Sequence, residues 1–278
     1  MGQLDLTTEQ DTVLNGAVQA QRGLILAAGT GAESRLATLR GLAVRLATPE
    51  RSVFVAEPQV AQDVPGISQT EVADGALYEW LGAVLGADAD VIMVSAVPTA
   101  AVAALLVRAA RGALVLAGVE ARSSAEALLT FVNFGLPPKA AAAIVTCIIC
   151  RWDLPRLCRH CRRASPATQA RLERHPRLAE LAQTARCVVA AGCPECSSTG
   201  HDGSVALLEV VSVGSVVGPL LADLAEHPAL IRAARQTTTL ALTQAALPRL
   251  VAGDICADDL MDLLDTATLP SGDPASPP

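Results

Sequence analysis

Eight cysteines stand in the chain, and four of them form two spaced pairs, Cys158-Arg-His-Cys161 and Cys193-Pro-Glu-Cys196. Two thiolates three positions apart in a knuckle can share one tetrahedral ion. Two such knuckles supply four sulfurs and close the shell, which is the chemistry of a structural Zn2+ site with no open position for catalysis. The 31 residues between the pairs exceed the common ribbon spacing, so the intervening segment must loop out. Gly192 and Gly200 flank the second knuckle and permit its tight turns. His160, inside the first knuckle, reads as a polar knuckle residue. A third pair, Cys147-Ile-Ile-Cys150, lies in an apolar run and reads as small buried hydrophobes rather than a redox dithiol. Cys187 and Cys256 are isolated.

A second stretch could do chemistry with phosphate. "GLILAAGTGAESRLATL" places a glycine turn between an apolar strand and a helix, where backbone N–H groups and a helix N-terminus can face an anion. The phosphate-cradling pattern is GxxxxGK[ST]. Counted from Gly29, the chain has Ser34 where the second glycine belongs, Arg35 for the lysine and Leu36 for the Mg2+-binding hydroxyl. Leu36 cannot ligate a metal, Glu33 would repel phosphate, and arginine reaches an oxyanion along a different path from lysine. The stretch Gly29, Thr30, Gly31, Ala32, Glu33, Ser34 and Arg35 therefore reads as a structural strand–helix turn, with weak nucleotide binding as the alternative.

These groups need a scaffold, and the 278 residues suffice for about two domains. Thr7 with Gln10 predicts a capping box at the head of a helix running to about residue 22. Gly23–Gly29, Ser52–Pro58, Ala89–Val97 and Gly112–Val119 read as strands, several of them separated by helical stripes such as Leu36, Leu39, Leu42 and Leu46. Strands alternating with helices imply a mostly parallel α/β sheet. Residues 165–186 read as polar helices, 205–211 as one more strand and 218–265 as helical, and the proline-rich end reads as a disordered tail.

Composition narrows the partners. Lys+Arg total 21 against 28 Asp+Glu, for a net charge of −7, which disfavours a counterion-releasing phosphate surface. Three Phe, two Trp and one Tyr are too few for a base-stacking platform. The longest uncharged run, Val91–Val107, is at the lower limit for a membrane span and is broken by Pro98. The polar, acidic N-terminus predicts no signal peptide, and a cytoplasmic location follows, with reduced or metal-bound cysteines.

With these motifs in order, the chain resembles the C-terminal ATPase domain of the type II secretion and type IV pilus assembly ATPases, from about Leu4 to Asp265. "GLILAAGTGAESRLATL" resembles the Walker A segment, "VFVAEPQVAQDVPGISQTEV" the acidic box, "ADADVIMVSAVPT" the Walker B strand, "GALVLAGVEARSSAEAL" the histidine box, and "RLCRHC" with "GCPECSSTGHDGSVALLEVV" the four-cysteine zinc region. The resemblance implies a RecA-like P-loop NTPase core over residues 1–150, a tetracysteine zinc subdomain over 151–212, a C-terminal helical bundle over 213–265 and a disordered tail over 266–278. It also implies ATP with Mg2+, a hexameric ring of ATPase-fold subunits and an inner-membrane assembly platform as partners.

The chain departs from that family at its chemical stations. Ser34, Arg35 and Leu36 alter Walker A, Glu57 stands alone where Glu-Asp is usual, Ala96 replaces the Walker B glutamate, and Glu120 replaces the histidine. Members also carry an N-terminal domain before this one, and the chain begins in what resembles the connecting linker. The expected function is a catalytically degenerate relative that binds structural Zn2+ and serves a secretion or pilus machine as a structural or regulatory subunit, peripheral to the inner membrane. One alternative is a weakly active or nucleotide-binding ATPase of the same family. Another is a nucleotidyltransferase-like enzyme, because "LAAGTG…SR" is similar to the opening loop of sugar-nucleotide and isoprenoid nucleotidyltransferases.

Overall fold

The structure, a computed structural model, describes residue 4 and residues 6–213 and 242–268. The described residues fall into two compact units that divide between Arg151 and Trp152 and again between Leu208 and Glu209, with 242–268 grouped with the second.

The first unit opens with α1 (Thr8–Gln19), capped by the expected box: the Thr7 hydroxyl accepts from the Gln10 N–H, and the Thr7 N–H donates to Gln10 Oε1. The strands are β1 (Gly23–Gly29), β2 (Val53–Glu57), β3 (Ile67–Glu71), β4 (Val91–Val94) and β5 (Leu114–Glu120). The helices between them are α2 (Ala32–Leu46), α3 (Leu77–Val84) and α4 (Ala100–Ala109). The chain continues through α5 (Ser124–Asn133) and α6 (Pro138–Ile144) into the long strand β6 (Val145–Leu157). All seven residues of β1 are buried, as an apolar run inside a parallel sheet requires.

The sheet order is β3-β2-β4-β5-β1-β6, then the strand of residues 201–212. The pairs of β1 with β5 and β6, of β2 with β3 and β4, and of β4 with β5 are all parallel. β1 and β4 are therefore separated by β5, the order of a RecA-like core. The C-terminal ends of β1, β2 and β5 and the segment just past β4 place Gly29, Glu57, Glu120 and Ala96 at one end of the sheet, where open parallel sheets present their ligand crevice. The apolar run Val91–Val107 is split into β4 and helix α4, which buries one face, and among the described residues no helix is long and apolar enough to cross a membrane.

The second unit holds the short ribbon of β7 (Arg163–Ala164) and β8 (Val188–Val189), which pair antiparallel. Between them lie α7 (Pro166–Arg174) and a 3-10 turn at Ala179–Gln183. The polar helices expected over 165–186 are thus one α-helix and this turn. The strand expected at 205–211 belongs to β9 (His201–Ser212). Residues 242–252 form helix α8, and Ala257–Thr268 form α9, which continues past Asp265 where a tail was expected. Its burial of Leu260, Met261 and Leu264 explains the extra turn. The helices expected over 218–241 and the tail expected over 269–278 lie outside the described residues.

Candidate functional site

The glycine turn is short. Helix α2 begins at Ala32 with Gly31 as its N-cap, so only Thr30 and Gly31 separate strand from helix. The Arg35 N–H donates to the Gly31 carbonyl at 3.1 Å and is therefore spent inside the helix. Thr30, Gly31, Ala32 and Glu33 are exposed and Ser34 is half-buried, whereas Arg35 and Leu36 are buried. The Arg35 guanidinium reaches back to the end of β1, where Nη1 donates to the Gly29 carbonyl at 2.7 Å and, among the described residues, Nε has no hydrogen-bond partner. Burial lowers its pKa, opposed by the charge of Glu120. Glu120 stands opposite Gly29 in the β1–β5 register and is itself exposed.

Glu57, at the end of β2, is fully buried and fully engaged. Arg40 Nε donates to its Oε2 at 2.7 Å, and Gln69 Nε2 donates to its Oε1 at 3.0 Å. Ala96 is half-buried just beyond β4. The preceding residue, Ser95, donates its N–H to the Ala56 carbonyl at 3.2 Å. Gly118 of β5 makes this crossing feasible, because a Cβ there would lie 2.0 Å from the Ser95 carbonyl oxygen. Sequence reasoning did not single out Arg40, Gln69 or Gly118. Gln69 lay within a quoted motif, but nothing local marks Arg40 as its partner's partner.

In the second unit the four paired cysteines converge. Their Sγ atoms all lie within 4.8 Å of one another. Cys158 to Cys193 is 3.9 Å, Cys161 to Cys196 is 3.8 Å and Cys193 to Cys196 is 3.6 Å. A Zn–S bond of about 2.3 Å in a tetrahedron demands sulfurs about 3.8 Å apart, so the cluster fits the ion. The N–H groups of Cys193 and Gly200 point at Cys196 Sγ at 3.3 and 3.2 Å, as outer-shell donors to a thiolate do. Against the desolvation that would raise it, these two N–H groups help bring the Cys196 thiol down to about 6. The fold joins the knuckles through the β7–β8 ribbon and through the Cys158 N–H to the Gly200 carbonyl at 2.9 Å. Gly200 sits at φ +77, and its Cβ would meet Ala190 Cβ at 2.5 Å, so the turn requires glycine. His160 is exposed and stands outside the cluster. Cys147 and Cys150 are buried in β6, and desolvation pushes the Cys147 thiol up to about 12, which suits packing and not redox exchange.

The model of the type II/IV secretion system protein family matches residues 1–261. The chain belongs to that family. It is 28% identical over 275 residues to the putative type II secretion system protein E of Escherichia coli K12, covering 98% of this chain and 55% of that protein. It is 30% identical over 195 residues to the type IV pilus assembly ATPase PilB of Thermus thermophilus, covering 69% of this chain and 22% of that protein. Among solved structures, the ATPase DotB of Legionella pneumophila superposes with a TM-score of 0.66 at 14% identity, over 95% of this chain and 66% of that one. The pilus retraction motor PilT with bound ADP gives 0.62 at 16% identity, over 93% and 64%. These two likenesses establish the RecA-like fold. As a type II/IV secretion system family member, the chain spans about half the length of the first curated relative. Family membership also sets aside the nucleotidyltransferase alternative, which rested on the loop alone.

Proposed function

We propose that this chain is a catalytically degenerate member of the family, acting as a structural or regulatory subunit of a secretion or pilus machine. The observation that carries the reading is Arg35. At the position matched to the phosphate-binding lysine, the side chain is buried and bonded to the Gly29 carbonyl, so its charge is spent on the protein's own backbone. Leu36 offers no hydroxyl, Ala96 no carboxylate, and Glu57 is consumed by Arg40 and Gln69. Phosphoryl transfer relies on a positioned cation and a water-orienting group together, and concerted loss leaves little residual rate.

A second reading, weak Mg2+-independent nucleotide binding, draws on one feature. Gly31 caps α2 with no side-chain hydrogen bond, and the first helical residues, Ala32 and Glu33, are exposed, which leaves a helix N-terminus open to an anion. The partners suggested by the family are other ATPase-fold subunits, arranged in a ring, and inner-membrane platform proteins reached from the cytoplasmic side. Zn2+ is the structural ion in this reading.

Equilibrium dialysis with labelled ATP, with and without Mg2+, together with phosphate release, tests the proposal. The expected result is no turnover and no Mg2+-dependent binding. Turnover that disappears in Arg35→Ala would overturn it.

A further inference from the structure

Both flanks of the first cysteine knuckle grip the same dipeptide. Leu157, immediately before Cys158, donates its N–H to the Asp254 carbonyl at 2.8 Å. Arg162, immediately after Cys161, donates through Nη1 to the Gly253 carbonyl, and the same nitrogen lies 3.4 Å from Asp254 Oδ1. Gly253 and Asp254 form the turn between α8 and α9. That turn is tightly enclosed: at φ +68, a Cβ on Gly253 would lie 3.2 to 3.3 Å from Val188, Arg162 and Arg186. The Arg186 N–H adds a bond to the Leu250 carbonyl at 3.1 Å. Arg162 and Asp254 are both largely withdrawn from solvent, so neither charge is well served without the other.

An ion shared by the four thiolates would add a constraint on the geometry of the knuckle. Within the knuckle, one backbone bond, Arg162 N–H to Cys158 carbonyl at 3.1 Å, closes the turn. Four sulfurs within 4.8 Å repel one another once ionised unless a cation holds them. The two donors that seat Gly253 and Asp254 flank the cysteines that such an ion would draw together.

We propose that metal occupancy of Cys158, Cys161, Cys193 and Cys196 is read out at the Gly253–Asp254 turn, with Arg162 as the positioning residue. The α8–α9 pair is seated when the ion is bound and released when it leaves. The inference stands apart from the nucleotide reading, because its observable needs no nucleotide.

Hydrogen exchange across residues 250–257 tests it, comparing zinc-loaded protein with protein stripped by EDTA. Stripping should speed exchange at the turn by about tenfold or more, the scale of a lost charged hydrogen bond, while β1 and β5 keep their protection. Zinc-loaded Arg162→Gln should show the same acceleration with its metal content unchanged. Loss of zinc from Arg162→Gln with β1 and β5 still protected is the reciprocal of the same coupling and supports it. If stripping removes protection throughout, the ion supports the whole fold and not this turn, and the proposal falls. Unchanged exchange at 250–257 after stripping, unchanged exchange in metal-bound Arg162→Gln, or protein purified without any metal, overturns the proposal.

Discussion

The Arg40 guanidinium and the Glu57 carboxylate lie 2.6 Å apart at closest approach, joining the middle of α2 to the end of β2. Glu57 is fully buried, and Arg40 also donates from Nη2 to the Gln59 carbonyl at 3.0 Å. The acidic-box carboxylate thus anchors the loop after β2. Arg40→Ala leaves Glu57 buried with Gln69 alone, and breaking such a pair costs about 3 kcal/mol. Urea unfolding should show that loss as a lower midpoint with an unchanged slope. A midpoint equal to wild type would mean the pair carries no net stability.

The four-cysteine cluster predicts about one zinc per chain in protein purified without added metal, since structural zinc contributes about 10 kcal/mol or more to folding in small peptides. Cys193→Ser should lower both the zinc content and the melting temperature. Metal-free protein that melts where the loaded protein does would remove the structural role.

Gly118→Ala should cost about 3 kcal/mol, the upper range for overpacking. The obstacle is backbone: the Ser95 carbonyl oxygen would lie 2.0 Å from the new Cβ, and no side-chain rotation relieves it. Chemical denaturation of Gly118→Ala beside Gly112→Ala, where none of the described residues lies within 4 Å, separates this contact from a general effect of losing glycine in the same region.

His175 makes folding pH-sensitive. Desolvation lowers its pKa below the ordinary 6.5, with Asp265 opposing and Arg177 and Arg171 adding to the fall. The native state therefore favours the neutral ring, and the unfolded chain binds more protons just below 6.5. Stability from this group is present above 6.5 and is lost as pH falls through the native pKa. His175→Gln should lose less melting temperature than wild type between neutral pH and mildly acidic pH. An equal loss in both proteins would assign the acid sensitivity to other groups.

Much of this protein was legible in order along the chain. The apolar run of β1, the capping box at Thr7 and the paired cysteines are local signals, because burial on both faces, a cap and a metal knuckle each constrain residues only a few positions apart. The four-sulfur centre was readable for the same reason, despite the 31 residues between its halves. β3 was missed, since Ile67–Glu71 is a largely polar strand at the sheet edge with no run of buried residues to announce it. The tertiary structure alone decided how charges are spent. Arg35 could have faced a phosphate, but the short turn and burial aim it at Gly29. Glu57 meets Arg40 from 17 positions away, and Arg162 meets Gly253 from 91. Such pairings depend on which elements the fold brings side by side, and no spacing rule along the chain encodes them.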